Sequence, residues 1–236
     1  MIYAIILAGG VGKRAGGPLP KQFQNIAGKP MLFWSVRAFF DAVPQAEIYI
    51  VCHPDYFKEC NDVVNMLKTD GYEEPIRIVE GGSTRIGSVR NALESIGNLG
   101  PELSKNSRIL IHDGARPLVS KNIIEGVLHS VRYGVGVVPV VPLSDSIRKI
   151  VGDKTESVDR KDYLAVQTPQ GFIFDEILMA YRKVRDEEAF TDDASVAEAT
   201  GLEIIVSRGE PENLKVTNQD DFCVAEVILT RKLLSL

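Results

Sequence analysis

The stretch IYAIILAGGVGKRAGGPLPKQF, residues 2–23, decides the fold and raises the question of function. It begins with a continuous hydrophobic run over residues 2–8, which is typical of a strand covered on both faces by other elements. Residues 9–23 then bring together five glycines, two prolines and four basic or amide side chains. Glycine allows positive φ and close approach by a ligand, whereas proline stops a helix from forming. We therefore expect a buried strand followed by a loop that wraps around a bound molecule.

Short hydrophobic runs alternate with helical patterns along the rest of the chain. The predicted strands cover residues 2–8, 47–52, 76–80, 108–112, 135–141 and 202–206. The predicted helices cover residues 31–43, 56–69, 84–97, 120–133, 174–188, 193–200 and 219–235. Three of these helices follow an N-capping residue type, namely Ser120, Asp192 and Asn218. Alternation of strands and helices predicts an α/β fold with a Rossmann-like, mostly parallel sheet flanked by helices.

A polar segment interrupts this alternation. Residues 144–160, SDSIRKIVGDKTESVDR, carry a turn signal at Gly152-Asp153 between two runs that could pair as a hairpin. Because a two-stranded ribbon this polar is marginally stable alone, we expect an arm over residues 142–162 that packs on its own domain or reaches a second subunit. The sequence shows no internal repeat and no low-complexity linker, so we expect a single domain over residues 1–236.

Charge and cysteine content argue against several classes of function. The formal net charge of −5 gives no reason to expect affinity for nucleic acid or an anionic membrane, so an anion site must be built locally from cations and backbone amides. The three cysteines, Cys52, Cys60 and Cys223, include no CxxC pair, which argues against structural zinc and a disulfide framework. The first hydrophobic run meets glycine rather than a cleavage site, and no run approaches the about 20 apolar residues that cross a bilayer. We expect reduced thiols and a cytoplasmic location.

Two common phosphate-binding loops do not account for the glycine-rich segment. A Walker A loop needs Ser or Thr at the position that Arg14 occupies, because that hydroxyl binds Mg²⁺. The pattern Gly10-x-Gly12-x-x-Ala15 matches a Rossmann dinucleotide fingerprint, which would make the protein a nicotinamide-dependent reductase. However, the prolines in residues 18–20 prevent the required helix, and no acidic residue ends a second strand about 20 residues further on.

A triphosphate site fits the segment better. Successive amides of residues 9–12 can form a nest for an anion, and Lys13, Arg14 and Lys21 add positive charge to it. Cations around such a turn suit a triphosphate, since the departing pyrophosphate develops extra charge. A solvent-exposed basic loop without a ligand is the simpler alternative, and the remaining motifs decide between the two.

Six segments, taken in order, carry a resemblance to a known family. They are residues 7–23, GGSTRIGSV at 81–89, HDGARP at 112–117, VDR at 158–160, QTPQ at 167–170 and NLKVT at 213–217. Together they resemble the 2-C-methyl-D-erythritol 4-phosphate cytidylyltransferase family over residues 2–230. The resemblance implies a nucleotidyltransferase-type fold, a divalent cation such as Mg²⁺, a homodimer, and attack of a polyol phosphate on the α-phosphorus of CTP.

The resemblance also implies roles for individual residues. Three cations act on the triphosphate and the transition state, namely Arg14, Lys21 and Lys215. The CTP-binding residues are Ala8, Gly9, Gly10, Gly12, Lys13, Gly82, Ser83, Ser88 and Gly114. The polyol phosphate side is formed by Asp113, Arg116, Ser146 and Arg160, the last two reaching the neighbouring subunit on the arm. Asp113 also ends a predicted strand among cations, where its carboxylate can hold Mg²⁺ or pair with Arg116.

Two alternatives to this function stay open at the level of sequence. PLPKQF at 18–23 resembles enzymes that make CDP-ribitol from ribitol 5-phosphate. Residues 88–89, 158–160 and 193–196 resemble the methylerythritol branch instead, which we therefore prefer. A non-catalytic nucleotide-binding module would lack one of the three cations, and all three are present. One departure from the family is Gly114, where alanine is common.

Overall fold

The observed elements follow the predicted order of strands and helices closely. The computed structural model describes residues 1–10, 19–100 and 106–234. Within these ranges the strands are β1 (Ile2–Leu7), β2 (Asn25–Ile26), β3 (Lys29–Pro30), β4 (Glu47–Cys52), β5 (Ile76–Glu80), β6 (Arg108–Asp113), β7 (Val135–Pro142), β8 (Arg148–Val151), β9 (Lys154–Ser157), β10 (Leu164–Val166), β11 (Gln170–Ile173) and β12 (Glu203–Arg208). The α-helices are α1 (Met31–Ala42), α2 (Phe57–Thr69), α3 (Arg85–Gly97), α4 (Lys121–Ser130), α5 (Phe174–Lys183), α6 (Asp193–Glu198) and α7 (Gln219–Leu234). Each predicted strand and each predicted helix has its counterpart here.

The hydrophobic run that opens the chain becomes a central strand of the sheet. β1 pairs in parallel with β4 on one side and with β6 on the other. Its side chains alternate between the two faces, so that Ala4 and Ile6 pack in one hydrophobic cluster and Tyr3 and Ile5 in another. Burial on both faces explains why this strand carries no charged residue.

The main sheet is mixed but mostly parallel, as predicted. Its path runs β10-β7-β11-β6-β1-β4-β5, and β12 pairs with β7 outside this path. Parallel pairs join β1 to β4 and β6, β4 to β5, and β7 to β12. β10 and β11 run antiparallel to their neighbours, and neither strand was predicted from the sequence. The carboxyl ends of β1, β4 and β6 meet at one edge, which is where open α/β sheets bind ligands.

Helices cover both faces of the sheet. One hydrophobic cluster packs α1, α2, α4 and α7 against it, and the other packs α3, α5 and α6. Phe33 and Phe39 of α1 are examples of fully buried side chains, each 0% exposed, and burying such a side chain contributes about 1.5–3 kcal/mol relative to exposure. Among the described residues, no helix combines the length and the apolar character that crossing a bilayer requires.

The predicted N-caps are confirmed, and two helices, α4 and α5, end three or more residues earlier than predicted. The side chains of Ser120 and Asn218 each accept a hydrogen bond from the amide three residues on, at 3.2 Å and 2.8 Å, and Asp192 forms a capping box. α4 ends before 133 because Val131 is extended, and α5 ends before 188 because Val184 is extended. Helical periodicity in the sequence continues past both points, so it gave no sign of these ends.

The predicted hairpin is also confirmed. β8 and β9 pair antiparallel around a turn at Gly152, whose φ is +58°. Every residue of both strands is exposed, and Ile150 is 78% exposed although isoleucine is usually buried. The arm is thus a two-stranded sheet separate from the main one. Its role in dimerisation stays a prediction.

Candidate functional site

A pocket of about 380 Å³ lies at the carboxyl edge of β1 and β6. Its walls come from the segment after β1, the turn before α3, the end of β6 and the segment after β12. The predicted site residues that line it are Ala8, Gly9, Gly10, Lys21, Gly82, Ser83, Ser88, Asp113 and Lys215. Concave sites that combine apolar walls with a few convergent polar groups are typical binding sites for small molecules.

The first part of the glycine loop is anchored by Gln22. This side chain is buried and donates to the carbonyl oxygens of Ala8 (2.6 Å) and Gly10 (2.9 Å). The amide of Ala8 in turn donates to the carbonyl of Val51 on β4 (2.7 Å). Residues 8–10 are therefore fixed by the chain itself. Gln22 was not predicted, because an amide among basic residues gives no signal of which carbonyl groups it will reach.

Two of the three catalytic candidates lie in the pocket. Lys21 Nζ donates to the carbonyl of Val216, and Lys215 Nζ lies 2.8 Å from Asp113 Oδ2. The segment after β12 thus brings Lys215, from late in the chain, to the same pocket as Lys21, from its beginning. Outside the described residues lie the other predictions from the glycine loop, namely Gly12, Lys13 and Arg14.

The turn before α3 is closed by two hydroxyl side chains. Thr84 caps the helix, its Oγ1 accepting from Gly87 N at 2.8 Å. Ser88 Oγ accepts from Gly82 N (3.0 Å) and donates to the Thr84 carbonyl (2.8 Å). A Cβ on Gly82 would lie 2.7 Å from the carbonyl carbon of Gly87, so only glycine fits there. The hydroxyl of Ser88 has one acceptor site left, so in this arrangement it can accept from a ligand but not donate to one.

Asp113 is the electrostatic centre of the pocket. It ends β6 and is 8% exposed, with Oδ2 lying 2.8 Å from Lys215 Nζ and 4.0 Å from Arg116 Nε. Its other oxygen, Oδ1, lies 3.5 Å from Arg85 Nε. Burial by itself would raise the pKa of Asp113, but the charges of these three cations lower it well below its usual range. Asp113 is therefore ionised, and Arg116 is only one of three partners.

A buried chain of hydrogen bonds fixes the backbone around Asp113. Thr168 Oγ1 accepts from Asp113 N (3.1 Å) and lies 2.9 Å from His112 Nδ1. His112 Nε2 lies 3.2 Å from the carbonyl of Arg116. Burial lowers the pKa of His112 to about 4, so the neutral ring donates from Nε2 and accepts at Nδ1. Asn213 Nδ2 donates to the Thr168 carbonyl (3.0 Å), which ties the NLKVT segment to the same chain of bonds.

Gly114 and Arg116 lie behind the pocket wall rather than on it. Ala115, not Gly114, lines the pocket, which differs from the predicted contact of Gly114 with CTP. The Gly114 amide donates to the carbonyl of Leu7 (2.9 Å), and a Cβ at 114 would lie 2.9 Å from the same oxygen. Arg116 Nη1 donates to the carbonyl of Asn213 (2.7 Å). Both residues hold neighbouring segments together at the end of β6.

Ser146 and Arg160 are not brought to the pocket of their own chain. Both are exposed on the arm, and neither lines the pocket. Arg160 Nη1 donates only to the nearby carbonyl of Ser144 among the hydrogen bonds of the described residues. A single chain therefore does not join these two side chains to Asp113.

Arg85 lines the pocket and was missed. It begins α3, and its guanidinium group makes two hydrogen bonds to Asp193, from Nη1 at 2.9 Å and from Nη2 at 2.7 Å. Both residues lie in segments that resemble the family, but a single sequence does not show that the two segments touch.

Comparisons with known proteins agree over nearly the whole chain. A family model described as IspD, 2-C-methyl-D-erythritol 4-phosphate cytidylyltransferase, matches residues 2–231. A 2-C-methyl-D-erythritol 4-phosphate cytidylyltransferase of Cereibacter sphaeroides is 40% identical over 227 residues, covering 96% of this chain and 96% of the relative. One from Phocaeicola vulgatus is 36% identical over 231 residues, covering 96% and 99%. The crystal structure of a 4-diphosphocytidyl-2C-methyl-D-erythritol synthase from Anaerococcus prevotii matches with a TM-score of 0.81 at 28% identity, covering 97% of this chain and 96% of that one.

Proposed function

The chain belongs to the 2-C-methyl-D-erythritol 4-phosphate cytidylyltransferase family, and we infer that it transfers CMP from CTP to 2-C-methyl-D-erythritol 4-phosphate. The products are 4-diphosphocytidyl-2-C-methyl-D-erythritol and pyrophosphate, and the reaction serves isoprenoid synthesis. The observation that carries the inference is the pocket, which joins Lys21, Lys215 and Asp113 to two backbone turns at one sheet edge. The relatives described above all bear the methylerythritol name, so the ribitol 5-phosphate alternative is not favoured.

The reaction requires the stabilisation of negative charge rather than a protein nucleophile. A phosphate oxygen of the polyol substrate forms a bond to the α-phosphorus of CTP, and the bond from that phosphorus to the bridging oxygen breaks as pyrophosphate leaves. The attacking oxygen is already charged, so catalysis consists of positioning two anions and stabilising the charge that develops. We assign this work to Lys21 and Lys215, with Arg14 of the glycine loop as the third cation. Lys215 would exchange part of its contact with Asp113 for phosphate oxygens.

The nucleotide end of the pocket would be formed by backbone groups. Residues 8–10 are held by Gln22, and the amides of Gly9 and Gly10 would donate to the triphosphate, since the Ala8 amide already donates to Val51. Gly12 and Lys13 continue this loop in our assignment. The turn at Gly82 and Ser83 lies across the pocket and would receive cytosine, with the Ser88 oxygen accepting from the exocyclic amino group.

The polyol phosphate end would be completed by a second subunit. We propose a homodimer in which the arm of one chain brings Ser146 and Arg160 to the pocket of the other, beside Asp113 and Arg116. Two observations support this: neither arm residue reaches the pocket of its own chain, and apolar side chains on or next to the arm are exposed. Those side chains are Ile150 (78% exposed), Leu164 (47%) and Val166 (43%).

We also propose that a divalent cation such as Mg²⁺ takes part, with Asp113 as its ligand from the described chain. Asp113 is the only carboxylate among the described residues that line the pocket, and no group of three potential ligands occurs in the described ranges. One ionised carboxylate combined with substrate phosphates and water is a usual environment for Mg²⁺. When bound, the cation supplies further neutralisation of phosphate charge.

We also propose a cytoplasmic location from the cysteine pattern of the sequence. Three cysteines with no CxxC pair are typical of a chain that keeps reduced thiols in a reducing compartment.

The decisive experiment follows pyrophosphate release by the purified protein. CTP and Mg²⁺ are supplied with either 2-C-methyl-D-erythritol 4-phosphate or ribitol 5-phosphate, and each reaction is repeated with EDTA. We expect rapid release with the methylerythritol substrate, little with ribitol 5-phosphate, and loss of activity when EDTA removes the metal. Faster turnover with ribitol 5-phosphate would overturn the substrate, and undiminished activity in EDTA would overturn the metal proposal.

A further inference from the structure

A buried carboxylate and a buried phenol hold Arg85 at the edge of the pocket. Asp193 is 0% exposed and accepts hydrogen bonds from Arg85 Nη1 (2.9 Å) and Nη2 (2.7 Å). The hydroxyl group of Tyr181, which is also 0% exposed, donates to Asp193 Oδ1 at 2.5 Å. The third nitrogen of the guanidinium group, Arg85 Nε, lies 3.5 Å from Asp113 Oδ1. These contacts run from the core of the domain to the carboxylate in the pocket.

The contacts leave Arg85 little freedom to move. Paired hydrogen bonds between a guanidinium group and a carboxylate fix orientation as well as distance. Burial and the charge of Asp193 raise the pKa of Tyr181, so the phenol stays protonated and can only donate to that carboxylate. Burial acts to lower the pKa of Arg85, but the two neighbouring carboxylates raise it overall, so its charge is permanent. Arg85 cannot turn its Nη groups toward a ligand without breaking both bonds to Asp193.

Stability alone does not account for this arrangement. A buried ion pair often contributes little net stability, because desolvation of the two charges offsets their attraction. The part of the arrangement that lies in the pocket has a clearer consequence, because it affects the position of Lys215. Arg85 engages Oδ1 of Asp113, which leaves Oδ2 for Lys215 at 2.8 Å. If Arg85 moved, the carboxylate could rotate and displace the ammonium group of Lys215.

We propose that Asp193 and Tyr181 are positioning residues for CMP transfer: they fix Arg85, which fixes the pair of Asp113 and Lys215 in front of the triphosphate. The inference rests on the proposed function of the pocket. It gives a role in the reaction to two side chains that touch neither substrate. Loss of either group loosens the Arg85 guanidinium, whose positive charge nevertheless stays beside the pocket. CTP therefore still binds, but the transfer step slows.

The test compares the wild-type protein with Asp193→Asn and Tyr181→Phe in steady-state kinetics. For Asp193→Asn we expect kcat to fall about 10–100-fold, since displacement of a catalytic group by about 1 Å has an effect of this order. For Tyr181→Phe we expect a fall of about 3–10-fold, since one hydrogen bond to the carboxylate is lost. In both variants the KM for CTP, and the Kd for CTP measured calorimetrically without polyol phosphate, should stay within about threefold of wild type.

Glu94→Gln is the matched control. Glu94 of α3 also accepts two hydrogen bonds from an arginine, Arg182 of α5, at 2.7 Å each. This pair joins the same two helices that carry Arg85 and Tyr181, but it does not line the pocket. Its removal should leave both kcat and the two KM values unchanged.

The outcomes separate the positioning role from a merely structural one. If Asp193→Asn retains the kcat of wild type, if its kcat equals that of wild type once the rate is expressed per CTP site counted from the calorimetric stoichiometry, or if CTP affinity falls together with kcat, the positioning role is wrong. If Asp193→Asn does not fold, Tyr181→Phe is judged by the same criteria. Wild-type protein in the same assay that fails to release pyrophosphate would overturn the proposed function instead, so the two failures are distinguishable.

Discussion

The wall of the pocket and the arm differ in how far their side chains are buried and hydrogen-bonded within a single chain. Around Asp113 the side chains are buried and hydrogen-bonded within the chain, as the contacts of Thr168 and Asn213 show. On the arm, β8 and β9 are exposed along their whole length, and Arg160 bonds to a carbonyl of its own segment. The difference supports the proposal that one chain organises the nucleotide half of the site in advance, whereas the polyol phosphate half would be completed by a second subunit. Substitutions in the two regions should therefore have different kinetic signatures.

The largest effect is expected for Lys21→Ala. Removing one preorganised cation from a charged transition state should reduce kcat about 10²–10³-fold. The fold should be retained, because α1 and the strands around the pocket do not depend on this side chain for burial. Turnover of CTP with 2-C-methyl-D-erythritol 4-phosphate measures the rate, and circular dichroism measures the fold.

Lys58→Ala provides the comparison for Lys21→Ala. Lys58 is an exposed lysine on α2 that pairs with Asp62 at 3.2 Å and does not line the pocket. Its removal should leave turnover unchanged. If Lys21→Ala likewise retained activity within about threefold of wild type, the catalytic role assigned to Lys21 would be refuted.

Acid should destabilise the pocket wall through His112. The unfolded chain protonates this histidine near pH 6.5, whereas the folded chain does so only near a pKa of about 4. Between these values the unfolded state binds more protons, so lowering the pH from about 6.5 to about 4 should cost up to about 3 kcal/mol of stability. Urea unfolding across this pH range measures the slope. His112→Gln should flatten it, whereas His129→Gln, at an exposed position of α4, should leave it as in wild type.

A substitution on the arm should affect the KM for the polyol phosphate rather than kcat or stability. Arg160→Ala should raise the KM for the polyol phosphate about 10–100-fold, because hydrogen bonds to a charged group contribute about 1.5–3 kcal/mol. The KM for CTP should stay within about threefold of wild type. Lys154→Ala, at another exposed position of the same arm, should change neither KM. If the KM values for CTP and for the polyol phosphate rose equally, the two halves of the site would not be distinct. If analytical ultracentrifugation showed a monomer, the arm could not reach the pocket of a second subunit.

The fold was predictable wherever hydrophobic pattern and capping residues agreed. The run at residues 2–8 and the cap at Ser120 both depend on neighbours in sequence, and both were found. β10 and β11 were missed because they are short and antiparallel, and their pairing with β6 and β7 depends on distant segments. The arm was predicted because its turn at Gly152 is a local signal.

The site was predictable as a set of motifs but not as a set of contacts. Lys21, Lys215 and Asp113 were chosen from segments that resemble the family, and the structure brings all three to one pocket. Gln22 and Arg85 were missed because their function depends on which carbonyl or carboxylate they reach in the folded chain. A single sequence shows residue types at the site, but the partners that fix them come from tertiary structure.

Gly114→Ala gives the smallest effect and tests how tightly the pocket wall is built. The new Cβ would lie 2.9 Å from the Leu7 carbonyl and 3.2 Å from Leu32 Cδ1, so β1 or α1 must shift. We expect a loss of about 1–2 kcal/mol in the free energy of unfolding, because the neighbouring backbone must move to make room. Gly126→Ala, in the middle of α4 with no atom within 4 Å of its Cβ, should instead stabilise by about 0.5–1 kcal/mol. If urea unfolding gave both variants the same gain, the end of β6 would have spare room, and its contrast with the exposed arm would be weaker than the packing indicates.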